Sequence, residues 1–214
     1  MISYPSRQRP SHQIARYRIA FKQWLWLASG SLRMKWNQRI AESSDVPALT
    51  DLIKVSSRHL QRGVYAPDQI ERALGPVFGV DEQMIEDHTY FVVENGSRIV
   101  GCGGWSFREA MYGGRASGHA GARRLDPEKD AARIRAFFVH PAYARRGIGS
   151  AIMRCCEKAV VEFGFQRGEI SATLVGEPLY ATFGYHTEKY YEIPLDGAAP
   201  LKVACMTKGY RTAT

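Results

Sequence analysis

One stretch limits what this chain can fold into more than any other. Arg133 to Val139 is rich in β-forming residues, His140 and Pro141 end it, and Gly147, Ile148 and Gly149 open an amphipathic run. In that run Ile148, Ile152, Cys155, Cys156, Ala159, Val160 and Phe163 recur at three and four residues, with Arg154, Glu157, Lys158 and Glu162 between them. The spacing predicts a helix with one buried face, stopped by Gly164. A strand that passes through glycines into a helix start makes an anion site, because the backbone can approach closely and the helix presents free N–H groups and the positive end of its dipole. A pyrophosphate fits such a junction. Two common phosphate motifs are excluded by spelling: G-x-G-x-x-G would need glycine at Ile152, and G-x-x-x-x-G-K-[ST] occurs nowhere.

The flanking segments supply the rest of an α/β domain. Gln38 to Asp45 reads as a first strand and the start of a helix. Ser44, Pro47, Leu49, Leu52 and Ile53 predict a helix capped at Ser44, and Pro67, Ile70 and Leu74 a second one ended by Gly75. Residues 88–94 and 98–106 are β-rich runs joined through Asn95-Gly96 and Ser97, a hairpin signal. Arg108 to Asp130 is a long polar, glycine-bearing loop holding Met111, Tyr112 and His119; such a loop either serves function or carries no order. Ile170 to Leu174, Tyr190 to Pro194 and Leu201 to Lys208 predict later strands.

Charge divides the chain. Residues 1–40 hold Arg7, Arg9, Arg16, Arg18, Lys22, Arg33, Lys35 and Arg39 and no acid, so all of the net charge of +8 lies there. The 1–37 segment is read as a basic extension and 38–214 as one domain, since 214 residues are enough for one good core and short for two. The apolar patch Trp24 to Ala28 is too short to span a bilayer. A targeting peptide, a membrane-surface or partner helix, and a functionless extension ahead of a start at Met34 all stay open, the last weighted most. Cys102, Cys155, Cys156 and Cys205 lack metal or redox spacing and read as buried free thiols of a reducing, cytoplasmic protein. The six histidines form no ligand cluster, so no metal is expected, and the neutral domain gives no reason to expect nucleic acid.

Ala144-Arg145-Arg146-Gly147-Ile148-Gly149, followed downstream by Tyr180 four residues before the Gly184-Tyr185 pair, resembles the GNAT superfamily of acetyl-CoA-dependent N-acetyltransferases, roughly over residues 38–209. Ala144 stands where that family usually has Gln or Arg. The resemblance implies an α+β fold with a mixed, largely antiparallel central sheet, splayed central strands and helices on both faces. It implies acetyl-CoA as acyl donor, held by the main chain of Phe137, Phe138 and Val139 and by Arg145, Arg146, Gly147, Ile148, Gly149 and Ser150. Tyr180 is implied as the general acid, since a phenol with an ordinary pKa of about 10 is protonated at neutral pH. The acceptor is a primary amine of a small molecule or a protein, and a homodimer is compatible with the fold. The strand carries no carboxylate, so no base is assigned. His140 reads first as a strand terminator, and Glu109, His119, Glu177 and a water chain stay open. A CoA-binding regulatory or interaction module without catalysis is the alternative reading.

Overall fold

A computed structural model describes residues 36–110 and 123–210 of the chain. Most of the basic extension, with the Trp24 to Ala28 patch and Met34, lies outside the described residues, as do Met111, Tyr112 and His119 of the long loop. The described elements run β1 (Asn37–Ile40), a 3-10 turn (Ser43–Asp45), α1 (Val46–Leu60), α2 (Pro67–Ala73), α3 (Glu82–Glu86), β2 (Tyr90–Asn95) and β3 (Arg98–Ser106). Then follow β4 (Ala132–Val139), a 3-10 turn (Pro141–Tyr143), α4 (Ile148–Phe163), β5 (Arg167–Thr173), α5 (Glu177–Thr182), β6 (His186–Leu195) and β7 (Ala198–Gly209). The strands form one sheet in the order β1-β2-β3-β4-β5-β7-β6. Only β4 and β5 pair in parallel; the other five junctions are antiparallel.

Both faces of the sheet are covered at β2 and β3, where successive residues are buried and do not simply alternate. Tyr90, Val92, Cys102 and Phe138 share a core with Leu49, Leu52 and Ile53 of α1. Their alternating neighbours Phe91 and Val93 are equally buried. The apolar stripe of α4 buries Ile148, Ile152, Cys155, Cys156, Ala159 and Val160 and packs along β2, β3 and β4.

The first helix does not begin at Ser44 as its sequence suggests. A 3-10 turn precedes it, and the Asp45 carboxylate accepts the Glu42 N–H at 2.8 Å while pairing with Arg39 at 2.7 Å. A charged acceptor outcompetes the neighbouring serine for that turn, and its hydrogen bond to Arg39 holds the Asp45 carboxyl below its ordinary pKa. The short α3 helix, too short to show a period in sequence, is fixed at each end by an arginine. Arg135 of β4 reaches its N-cap Asp81 at 2.8 Å, and Arg108 reaches its C-cap Asp87 at 2.7 Å. The described ends of the 108–130 loop zip together, with Glu109 N–H to Arg123 O at 3.1 Å and Leu125 N–H to Phe107 O at 2.8 Å.

Candidate active site

The site is built where β4 and β5 part. Register partners run Ala132↔Gly168, Arg133↔Glu169 and Ile134↔Ile170 and then stop, although β4 continues to Val139 and β5 to Thr173. On its other side β5 stays paired with β7 from Arg167 to Thr173. β4 stays with β3 but slips register between Cys102 and Gly104, which leaves Ala136 and Phe137 without partners across β3. Ala136 sits in this bulge with φ +60°. A left-handed alanine costs roughly 1–2 kcal/mol, and here the Tyr90 hydroxyl anchors it by donating to the Ala136 carbonyl at 3.1 Å. The bulge bends β4 and turns its main chain away from the ladder.

Between the separated strands lies a small cleft of about 60 Å³, lined among others by Phe137, Phe138, Ser171, Thr173, Tyr180 and Gln61. The Phe137 and Tyr180 rings meet edge to face at 5.7 Å. Tyr180 is 6% exposed, and its hydroxyl has no hydrogen-bond partner among the described residues. Burial raises the Tyr180 pKa well above that of a free phenol, so its proton is retained at neutral pH. Among the described residues Arg135 is the only cation in the lining; its side chain is 2% exposed and tied to Asp81.

The predicted cofactor residues fall into two groups. In β4, Phe137 is unpaired across β3, Phe138 stands opposite Cys102 with its ring against Phe78, and the Val139 N–H donates to Ser56 Oγ at 3.2 Å. At the start of α4, Gly147 is the N-cap, with φ +86° and no side-chain cap for the helix. A Cβ on Gly147 would meet nothing within 4 Å, so the space before the helix is open. The first N–H groups of α4, on Ile148, Gly149 and Ser150, therefore face outward with no capping side chain, in the arrangement that binds anions. Arg145, also left-handed at φ +60°, precedes them, and the Arg146 guanidinium lies over the Tyr143 ring at 5.6 Å.

Gly149 serves a different purpose from Gly147. It lies within α4, and a Cβ there would come 3.0 Å from Leu179 Cδ2 in α5. The missing Cβ leaves room for α5 and so seats Tyr180 beside the start of α4.

None of the described candidates for a base lines the cleft. His140 caps the Pro141–Tyr143 turn by accepting the Ala142 N–H at 3.2 Å, and its other ring nitrogen meets Arg98 at 2.9 Å. Burial, and then the charge of Arg98, push its pKa down, so the terminator role is the one its contacts favour. Glu177 accepts hydrogen bonds from Thr187 at 2.6 Å and Tyr190 at 3.0 Å, and Glu109 pairs with Arg123 at 3.3 Å. Sequence reasoning missed Gln61 and the Ala136 bulge. No local pattern marks either one.

Comparison with known proteins fits this geometry. Residues 86–187 match the acetyltransferase (GNAT) domain family. No curated protein matches the chain. A GCN5-related N-acetyltransferase from Rhodopseudomonas palustris superposes with a TM-score of 0.60 at 17% identity, over 80% of this chain and 94% of that one. The PaiA N-acetyltransferase of Thermoplasma acidophilum, solved in complex with coenzyme A, gives 0.56 at 15% identity, over 83% and 100% of the two chains. YncA from Salmonella typhimurium, solved with its cofactor acetyl-CoA, gives 0.57 at 12% identity, over 84% and 96%. At these identities the likeness is one of fold.

Proposed function

We propose that this chain, whose residues 86–187 match the acetyltransferase (GNAT) domain family, moves the acetyl group of acetyl-CoA onto a primary amine by direct attack in a ternary complex. One observation carries the reading: an uncapped sixteen-residue helix, entered through a left-handed Gly147 into open space, stands beside a strand whose main chain is released from its neighbour.

Acetyl-CoA supplies the thioester that is attacked. The N–H groups of Ile148, Gly149 and Ser150, with Arg145 and Arg146, are suited to hold its pyrophosphate. Main chain at Phe137 and Val139 is suited to take the pantetheine arm as an added strand, and an N–H there to polarise the carbonyl. The N–H of Val139 would exchange its Ser56 partner for such a contact. Tyr180, unpartnered and neutral, gives its proton to the departing sulfur.

A catalytically weak CoA-binding module is the second reading, favoured by Ala144 and by the lack of a carboxylate in the cleft lining among the described residues. Release of CoA thiol with an amine panel separates the two. Thiol release above the amine-free rate supports transfer. Tight acetyl-CoA binding with no release for any amine supports the module.

A further inference from the structure

The cleft also describes its acceptor, on the premise that the protein is an acetyltransferase. Gln61, at the end of α1, reaches across to β5, where its side-chain N–H lies 3.4 Å from Thr173 Oγ1. The oxygen of the same amide is shielded from solvent and has no hydrogen-bond partner among the described residues. Buried acceptors of this kind are rare in folded proteins and mark places where a donor is missing. Gln61 and Thr173 both line the cleft, so the missing donor belongs there.

The rest of the lining limits what can carry that donor. Among the described residues it holds no carboxylate and no imidazole, and its one cation, Arg135, is buried with Asp81. Val77, Phe78, Ile193, Leu201 and Val203 make one wall apolar, and Ser171 and Thr173 add uncharged hydroxyls. Phe78 also forms part of a larger neighbouring cavity of about 510 Å³, whose lining includes Ile53, Leu74 and Val80 together with Lys54 and Glu82. In the β4/β5 cleft itself an acceptor with a free charge would lose its hydration without gaining a partner among the described lining residues. An alkylammonium, with an ordinary pKa near that of lysine at about 10.4, would also need a base to remove its proton before attack, whereas an α-amine at about 7.7–8.0 already has roughly a tenth of its molecules neutral at pH 7.

We propose that the β4/β5 cleft takes a weakly basic primary amine on an uncharged apolar body, with the Gln61 carbonyl oxygen accepting one amine N–H. The second N–H stays with nitrogen and the lone pair is left to attack. The N–C bond forms as the C–S bond breaks, Tyr180 protonates the sulfur, and the proton lost by nitrogen returns to the tyrosine oxygen through water.

Three amines with one benzyl body test this at pH 7, by release of CoA thiol: L-phenylalaninamide, 2-phenylethylamine and L-phenylalanine. L-phenylalaninamide is expected to show kcat/KM at least tenfold above the other two. The value for 2-phenylethylamine should climb about tenfold per pH unit from 6 to 9 as its neutral fraction grows. Equal values, or a preference for L-phenylalanine or for the dication 1,5-diaminopentane, overturn the inference. So does turnover of none of them by protein that calorimetry shows to bind acetyl-CoA. Absence of acetyl-CoA binding instead removes the transferase premise itself. Gln61→Met, which keeps the volume and drops the polar atoms, should raise KM for L-phenylalaninamide at least tenfold, leave acetyl-CoA affinity alone and not lower the melting temperature. An unchanged KM removes Gln61 from the contact, and a lowered melting temperature with unchanged KM makes it structural.

Discussion

The two ends of α4 carry the same residue in the same backbone region and do opposite things. Gly147 at the start has φ +86° and Gly164 at the end has φ +108°. Around Gly164 the backbone closes on itself. Its N–H bonds back into the last turn, Phe165 N–H reaches Val160 O at 3.1 Å, and Phe163 and Phe165 pack on Trp105 at 5.1 and 6.2 Å. Around Gly147 the space is open and no side chain caps the helix. A glycine in the left-handed region therefore says only that the chain turns. Whether the turn is a stop or a cradle depends on whether the helix end it creates has already been satisfied.

The widest separation between the two ends should come from Gly147→Val. A branched side chain in the open space and in a left-handed backbone is expected to weaken acetyl-CoA binding by about 100-fold or more, measured by calorimetry on folded protein. Affinity equal to that of the wild type breaks the comparison. Tyr180→Phe should lower kcat by about 100-fold while leaving acetyl-CoA affinity intact, as read from steady-state rates beside the same titration; unchanged turnover returns Tyr180 to packing. Gly164→Ala belongs to the satisfied end. It should cost about 1–2 kcal/mol of stability by denaturant titration, the strain of a left-handed alanine, with no change in acetyl-CoA affinity.

The smallest effects sharpen the contrast. Arg145 is left-handed at φ +60° without being glycine. In Arg145→Gly the strain relieved and the unfolded-state entropy gained nearly offset each other, leaving stability within about 1 kcal/mol of wild type. Acetyl-CoA affinity should fall by only a few fold, because the N–H groups remain. Between the two ends, Cys155 of α4 is buried and its thiol is pushed up to about 12, as is that of Cys102. Both stay protonated at pH 8, so native protein should resist a thiol reagent that labels denatured protein at once. Rapid labelling of Cys155 would mean that the helix between its contrasting ends is not packed as described.

How much of this was legible in the sequence depended on whether a residue acts through its neighbours along the chain. The bounds of α4 followed from an apolar stripe of period near 3.6 and from Gly164, and the β2–β3 hairpin followed from Asn95-Gly96, because each signal is local. The parting of β4 from β5 was implied by family resemblance and by nothing in the spelling of either strand. The bulge at Ala136 was silent, since alanine carries no turn signal and its conformation is held by Tyr90, far away in sequence. Gln61 was silent for the same reason: its importance lies in the partner it lacks. Gly149 was legible as a glycine of the turn, but the closeness of Leu179 in α5, which its missing Cβ allows, was not, because that contact comes from a segment thirty residues away.

The account stands most directly on the N–H groups at the start of α4, and an amide-resolved NMR titration of the protein with coenzyme A reads them. Large shifts at Ile148, Gly149 and Ser150, accompanied by Phe137 and Val139 and with Gly164 and Phe165 unmoved, are the predicted result. Saturable binding that leaves Ile148 to Ser150 unperturbed would contradict it, because the open end of α4 would then not be where the pyrophosphate is held.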